Sequence, residues 1–263
     1  MEDRQLGKTP LNASVIGVGV EHLKNVSTEN IRDLFRLALK NGVNYFDLVW
    51  SFSKIMEGLK EALRKQRADS IIAFHLGSCI SSGEYIKSRN PSEREKQFRM
   101  QLEMLNLDSA PLLYIHYALN LKVWREINRK GIISLAERLK EAGVARTISV
   151  STHQPEVVKP AAEPGVMAAV MHQVNILNHF HPAPNEALNA CSRHGVGVVA
   201  MKPFAGGELL KAGQKVRIPA YKTGWKTMTV QVPWNTTSTR LLSYVLEQSA
   251  VCTAVIGVSS VEE

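Results

Sequence analysis

The chain is poor in the features that several protein classes require. Its 263 residues contain three cysteines, Cys79, Cys191 and Cys252, far apart and without a CxxC pair, which excludes a disulfide framework and argues against a structural zinc site. No apolar run approaches the length of a membrane span, and the opening MEDRQLGK is charged where a secretory leader carries an apolar core. A reducing cytoplasm is the expected setting, and no membrane is expected as a partner. Net charge is +8, yet no long Lys/Arg run exists. The densest basic stretch, 211–226, holds Lys211, Lys215, Arg217, Lys222 and Lys226 without an acid, with Tyr221 and Trp225 interleaved. Such a stretch can bind single strands, but a solvated loop or a clamp on cofactor phosphates is the simpler expectation, so nucleic acid is not expected as a partner. A GxGxxG phosphate turn is also missing, because Gly17-Val18-Gly19 is too short to serve as one.

Strands and helices, by contrast, alternate in one unbroken series. Apolar segments rich in β-branched and aromatic residues fall at 13–20, 44–49, 70–77, 112–118, 146–151, 168–174, 195–202 and 252–258. Helical patterns separate them at 28–42, 54–67, 92–106, 121–142 (interrupted at Gly131), 154–163, 185–194 and 236–249. Eight such units without a linker-like shift in composition predict an α/β fold: a single closed (β/α)8 TIM barrel over residues 1–263. The last strand has no covering helix, and Ser260-Val261-Glu262-Glu263 reads as a capping box. The expectation is a barrel lacking its last helix, on a polypeptide that continues beyond Glu263.

Three consecutive strands end in a residue that moves protons or binds metal: Asp47 in NYFDLV, His75 in SIIAFHLG and His116 in LLYIHYA. Parallel neighbours lie about 4.8 Å apart, so the three side chains meet at one carboxyl edge, where parallel α/β folds do their chemistry. A carboxylate on an apolar strand needs a partner, and His75 is the one next door. Two imidazoles and a carboxylate also form a set that suits iron or zinc. If its strand continues, Tyr117 is expected on the face opposite His116, since strand side chains alternate.

Six segments carry a resemblance to the aldo/keto reductase family over nearly the whole length: RQLGKTPLNASVIGVG (4–19), NGVNYFDLVWSF (41–52), LLYIHY (112–117), LAERLKEAGVARTISVSTHQPE (135–156), VVAMKPFAGGELL (198–210) and AVIGVSS (254–260). The family works with an Asp, a Tyr, a Lys and a His around a nicotinamide cofactor. The resemblance places Asp47 and His116 at two of these catalytic positions and departs at the other two, where Phe52 replaces the Tyr and His75 the Lys. Phe52 has no proton to give, so the family's usual carbonyl reduction lacks its donor, and an imidazole charged by proximity to Asp47 is the expected substitute. The resemblance further implies cofactor contacts, to NADPH or NADH. Ser151, Thr152 and Gln173 would meet the nicotinamide, Met201, Lys202, Pro203, Phe204 and Gly206 the pyrophosphate, and Ser259 and Ser260 the adenosine phosphate.

FHLGS (74–78) and GEYIKSR (83–89) resemble a subgroup that often carries a C-terminal iron–sulfur extension, on a segment absent from this chain. Lys87 and Arg89 in that loop would sit above the site and suit an anionic small-molecule substrate. The leading expectation is NAD(P)H-dependent oxidoreduction of a carbonyl compound with an altered tetrad. A catalytically impaired binding relative and an electron-transfer protein are the alternatives.

Overall fold

The computed structural model describes residues 1–65, 69–81, 83–177, 182–219 and 227–262. Eight strands form the barrel wall: β1 (Ile16–Gly19), β2 (Tyr45–Leu48), β3 (Ile71–Leu76), β4 (Leu112–Ile115), β5 (Ile148–Thr152), β6 (Ala169–Gln173), β7 (Gly197–Met201) and β8 (Val251–Gly257). Each pairs in parallel with its sequence neighbours, and β8 returns to β1 to close the ring.

Helices α1 (Thr28–Lys40), α2 (Ser53–Ala62), α3 (Pro91–Leu105), α4 (Leu121–Arg129), α5 (Ile132–Glu141), α6 (Pro155–Ala161), α7 (Pro182–His194) and α8 (Ser238–Leu246) cover the outside. Gly131, in the left-handed region, separates α4 from α5. The α1 cap is Ser27, one residue before Thr28, and its hydroxyl accepts from the Asn30 amide.

Alternation along each strand makes two cores. Outward residues such as Phe46, Phe74, Ile115 and Val150 pack under the helices, and inward residues such as Tyr45, Ala73, Tyr114 and Met171 fill the lumen. The Tyr45 and Tyr114 hydroxyls meet there at 2.9 Å. Gly17 is in β1 for this reason, since a Cβ would lie 2.7 Å from the Tyr45 ring.

Among the described residues, three antiparallel hairpins decorate the barrel. Asp3–Gln5 with Asn12–Ser14 brings Leu6 and Ala13 into the inner core, against the first residues of β2, β3, β4 and β6. Two others lie where sequence reasoning expects loops. Ser78–Ser81 pairs with Glu84–Lys87 across Gly83, and Lys215–Pro219 pairs with Thr227–Gln231. Four members of the basic and aromatic stretch, Tyr221, Lys222, Trp225 and Lys226, lie outside the described residues. Among the described residues no helix is long and apolar enough to cross a membrane, and no helix follows β8.

Candidate active site

The inward faces of β2, β3 and β4 decide which residues meet at the carboxyl edge. Tyr45 and Asp47 share one side of β2; Ile71, Ala73 and His75 share one side of β3; Leu112, Tyr114 and His116 follow the same parity on β4 and just beyond it. Pairing is staggered, with Asp47 beside Ala73 and His75 beside Tyr114. Each strand therefore presents its functional residue two positions above its neighbour's partner, a consequence of strand tilt in a closed barrel.

The result is a chain of hydrogen bonds. His75 Nε2 lies 2.7 Å from Asp47 Oδ1, and His75 Nδ1 lies 2.9 Å from His116 Nδ1. Asp47 and His75 are buried, and His116 is half-buried at the rim. Burial, and then the neighbouring His75, His153, Arg94 and Lys87, push the His116 pKa well below the usual imidazole range. Both His75 nitrogens are spent, so the three groups form a line rather than a set of donors converging on one point, which disfavours the metal reading.

An aromatic arc surrounds the relay. Phe52 is half-buried, with its ring edge-on to Trp50 at 5.8 Å. Trp50 approaches Tyr85 at 6.0 Å, and Tyr85 approaches Tyr117 at 6.4 Å. For Tyr117 the condition behind the expected alternation is not met. The strand ends at Ile115 and Tyr117 adopts a φ of 65°, which turns its ring back onto His116 at 4.1 Å. Lys87 Nζ sits 4.8 Å from the centroid of the Tyr117 ring, whereas Arg89 pairs with Glu126 at 3.2 Å.

The positions implied for the cofactor fall on β5 to β8. Val150 packs outward, so Ser151 faces in, and among the described residues its hydroxyl makes no hydrogen bond. Gln173 follows the inward parity of Met171, and its Oε1 lies 3.1 Å from His153 Nδ1. A hydroxyl beside a primary amide is a donor and acceptor set that fits a carboxamide such as the nicotinamide's. Thr152 is engaged elsewhere, since its hydroxyl donates to the Ala118 carbonyl at 2.6 Å and accepts from the Gln154 amide. Met201 ends β7. Lys202 turns with a φ of 55°, Pro203 is buried, Phe204 packs on an apolar cluster with Leu177 and Leu209, and Gly206 is exposed. Ser259 is exposed, and the half-buried Ser260 accepts from the Glu262 amide.

Sequence reasoning missed two residues that brace these turns. Asn175 Nδ2 donates to the Lys202 carbonyl at 3.2 Å and so ties the β6 exit to the β7 turn. Glu21 reaches Lys202 Nζ at 3.8 Å across the end of β8. Neither stands out locally, because their partners are far away in sequence.

Comparison with known proteins agrees with this architecture. Residues 15–263 match the aldo/keto reductase family. The whole chain aligns at 26% identity over 282 residues with YqkF of Bacillus subtilis (strain 168), described as an uncharacterised oxidoreductase, and covers 89% of it. It superposes on the holo form of aldo-keto reductase AKR11C1 from Bacillus halodurans with a TM-score of 0.80 at 24% identity, covering 100% of this chain and 88% of that one. Against the glycerol dehydrogenase AKR11B4 from Gluconobacter oxydans the TM-score is 0.71 at 18% identity, over 99% and 87% of the two chains. At these identities the structural likeness is one of fold, and the family match carries the assignment: this chain belongs to the aldo/keto reductase family.

Proposed function

We propose that the chain is a nicotinamide-dependent oxidoreductase acting on a small carbonyl compound, in which the Asp47, His75 and His116 relay does the proton work of the family's tyrosine. The observation that carries the reading is the unbroken hydrogen-bonded line from a buried carboxylate to a half-buried imidazole. NADPH or NADH, when bound, supplies a hydride equivalent to the carbonyl carbon.

The chain's own residues supply the proton. In the loaded state His75 would carry a proton on each ring nitrogen, donating Nε2–H to Asp47 and Nδ1–H to His116 Nδ1, which leaves His116 as the neutral Nε2–H tautomer; after the transfer His75 would be neutral. The low His116 pKa keeps that ring neutral near pH 7, so it acts as a neutral donor. As negative charge develops on the substrate oxygen, His116 Nε2–H gives up its proton and His75 Nδ1–H replaces it. Asp47 orients His75 throughout. Alcohol oxidation runs the same transfers backwards.

Ser151 and Gln173 would hold the carboxamide, and Lys202 would face the phosphates once its ion pair with Glu21 opens. Lys87, exposed and without an acidic partner among the described residues, favours an anionic substrate. A cytoplasmic setting suits the free thiols of Cys191 and Cys252. The iron–sulfur reading rests on the likeness of FHLGS and GEYIKSR to the subgroup that often carries such an extension; Glu84–Lys87 of GEYIKSR form the second strand of the hairpin, paired with Ser78–Ser81. The two cysteines whose side chains are described, Cys191 and Cys252, are free and buried.

The test mixes the protein with NADPH or NADH and follows cofactor fluorescence and consumption across a panel of aldehydes, ketones and keto acids. Micromolar cofactor binding with turnover is expected, and His116→Ala should lower turnover by roughly a hundredfold or more. Full turnover in His116→Ala, or no cofactor binding, would overturn the reading. Binding without any turnover would favour a regulatory relative.

A further inference from the structure

We infer that Arg94 and Gln101 of α3 are positioning residues that hold the relay in register by tying together the exits of the strands that carry it. This rests on reading Asp47, His75 and His116 as the proton-handling unit.

Helix α3 buries Arg94, Phe98, Gln101, Leu102 and Leu105 on one face. Arg94 and Gln101 are seven residues apart, two turns of one stripe, and are 0% and 3% exposed. A charged and an amide side chain in a helix's buried stripe are costly unless their hydrogen bonds are spent well. Here their N–H groups reach the strand exits that carry the relay, while Gln101 Oε1 has no hydrogen-bond partner among the described residues. Arg94 Nη1 donates to the Leu76 carbonyl at 3.1 Å, and Arg94 Nε donates to the Ser88 carbonyl at 2.6 Å. The Leu76 carbonyl also accepts the backbone amide of His116 at 3.2 Å. One carbonyl, adjacent to His75, therefore joins the arginine to both relay histidines.

Gln101 repeats the device one strand over. Its Nε2 donates to Ser51 Oγ at 3.1 Å and to the Ser78 carbonyl at 3.2 Å, and the Ser78 hydroxyl donates to the Val49 carbonyl. Val49 and Ser51 follow Asp47 out of β2, and Ser78 follows His75 out of β3. Gly77 makes the approach possible. At a φ of 114° it carries no Cβ, which would lie 2.8 Å from Arg94 Cζ. These bonds go to the residues flanking the relay, so both side chains act through the backbone that carries it. The Arg94 charge has a second effect. His116 faces His75 from β3, His153 from the β5 exit, Lys87 from the hairpin and Arg94 from α3, with the Asp47 carboxylate on the far side of His75. Each positive neighbour disfavours charging His116.

The test is imidazole NMR titration of protein labelled at histidine, in wild type, Arg94→Met, Arg94→Lys and Gln101→Met, with thermal melts to confirm folding. In Arg94→Met, His116 should titrate at a higher pH than in wild type, and its Nδ1 signal should lose the shift produced by the bond to His75. Arg94→Lys should keep the wild-type titration while its Nδ1 shift moves, because charge survives and the forked contact does not. Gln101→Met should move the Nδ1 signals of His75 and His116. Should Arg94→Met fail to fold, the other two variants decide. Titrations and Nδ1 shifts matching wild type in every folded variant would overturn the inference. A protein that turns over no carbonyl yet shows these shifts loses the reductase reading and keeps the positioning one.

Discussion

His172 and Gln173 are neighbours on β6 with opposite surroundings. Gln173 faces the mouth, whereas His172 faces outward into packed helices, its Nδ1 3.0 Å from the Thr152 carbonyl and its Nε2 without a hydrogen-bond partner among the described residues. Burial lowers its pKa from 6.5 to about 4. The sign follows from proton counting. The unfolded chain binds the proton at higher pH than the folded one, so this group's contribution is intact above pH 6.5 and is lost as pH falls towards 4. That loss is on the order of 3 kcal/mol. His172→Gln cannot titrate, so melting temperatures measured from pH 7 to pH 4.5 should fall less steeply than in wild type. Parallel curves would show that other groups carry the acid sensitivity. The same contrast explains what residue-level reading can reach: a histidine's identity is plain in the sequence, but its side of the strand depends on which neighbours share the lumen.

Helix α3 shows where element-level reading stops. Its position was legible, because the helical pattern over 92–106 matches the observed Pro91–Leu105 to within a residue at either end. In the structure the Asn90 side chain accepts from the Ser92 and Glu93 amides. Its inward face was not legible, because Arg94 and Gln101 break the apolar stripe and look like solvent-facing positions. The hairpin next to it was hidden for a related reason. Ser78–Ser81 and Glu84–Lys87 form a short ribbon whose residues lack the strong alternation of a half-buried strand. The β2, β3 and β4 exits were readable because long apolar runs fix strand identity and parity fixes the face. Tyr117 escaped because a left-handed residue ends that parity. The cap also gives a test of the element. Asn90→Ala should destabilise the protein by about 1 kcal/mol, seen as a lower urea midpoint with unchanged slope. Because α3 holds Arg94, the same variant should broaden the His116 imidazole signal. An unchanged midpoint would mean that tertiary packing alone secures this helix end.

At the scale of the whole molecule, the barrel has a functional end and a structural end, and the two should be separable. The carboxyl mouth carries the relay and the implied cofactor positions. The opposite end is closed by the first hairpin, whose turn drives Leu6, 0% exposed, into the lumen among Tyr45, Ile71, Leu112 and Ala169. Gly7 makes that entry possible: its φ is 59°, and a Cβ there would fall 2.3 Å from the Gly197 amide nitrogen. Arg4 adds a polar tie, donating to the Leu246 carbonyl at 2.7 Å. Truncating Leu6 to alanine leaves a cavity at the floor of a close-packed lumen and should cost about 2–5 kcal/mol. The urea midpoint should fall accordingly. The relay lies at the far end of the strands, and the Tyr45 and Tyr114 layer stands between, so the His116 titration in Leu6→Ala should match wild type wherever the protein is folded. A Leu6→Ala protein with unaltered stability would mean that the hairpin merely rests against the barrel. One whose His116 titration shifts would mean that the lumen transmits strain from floor to mouth, which close packing of the tyrosine layer otherwise prevents.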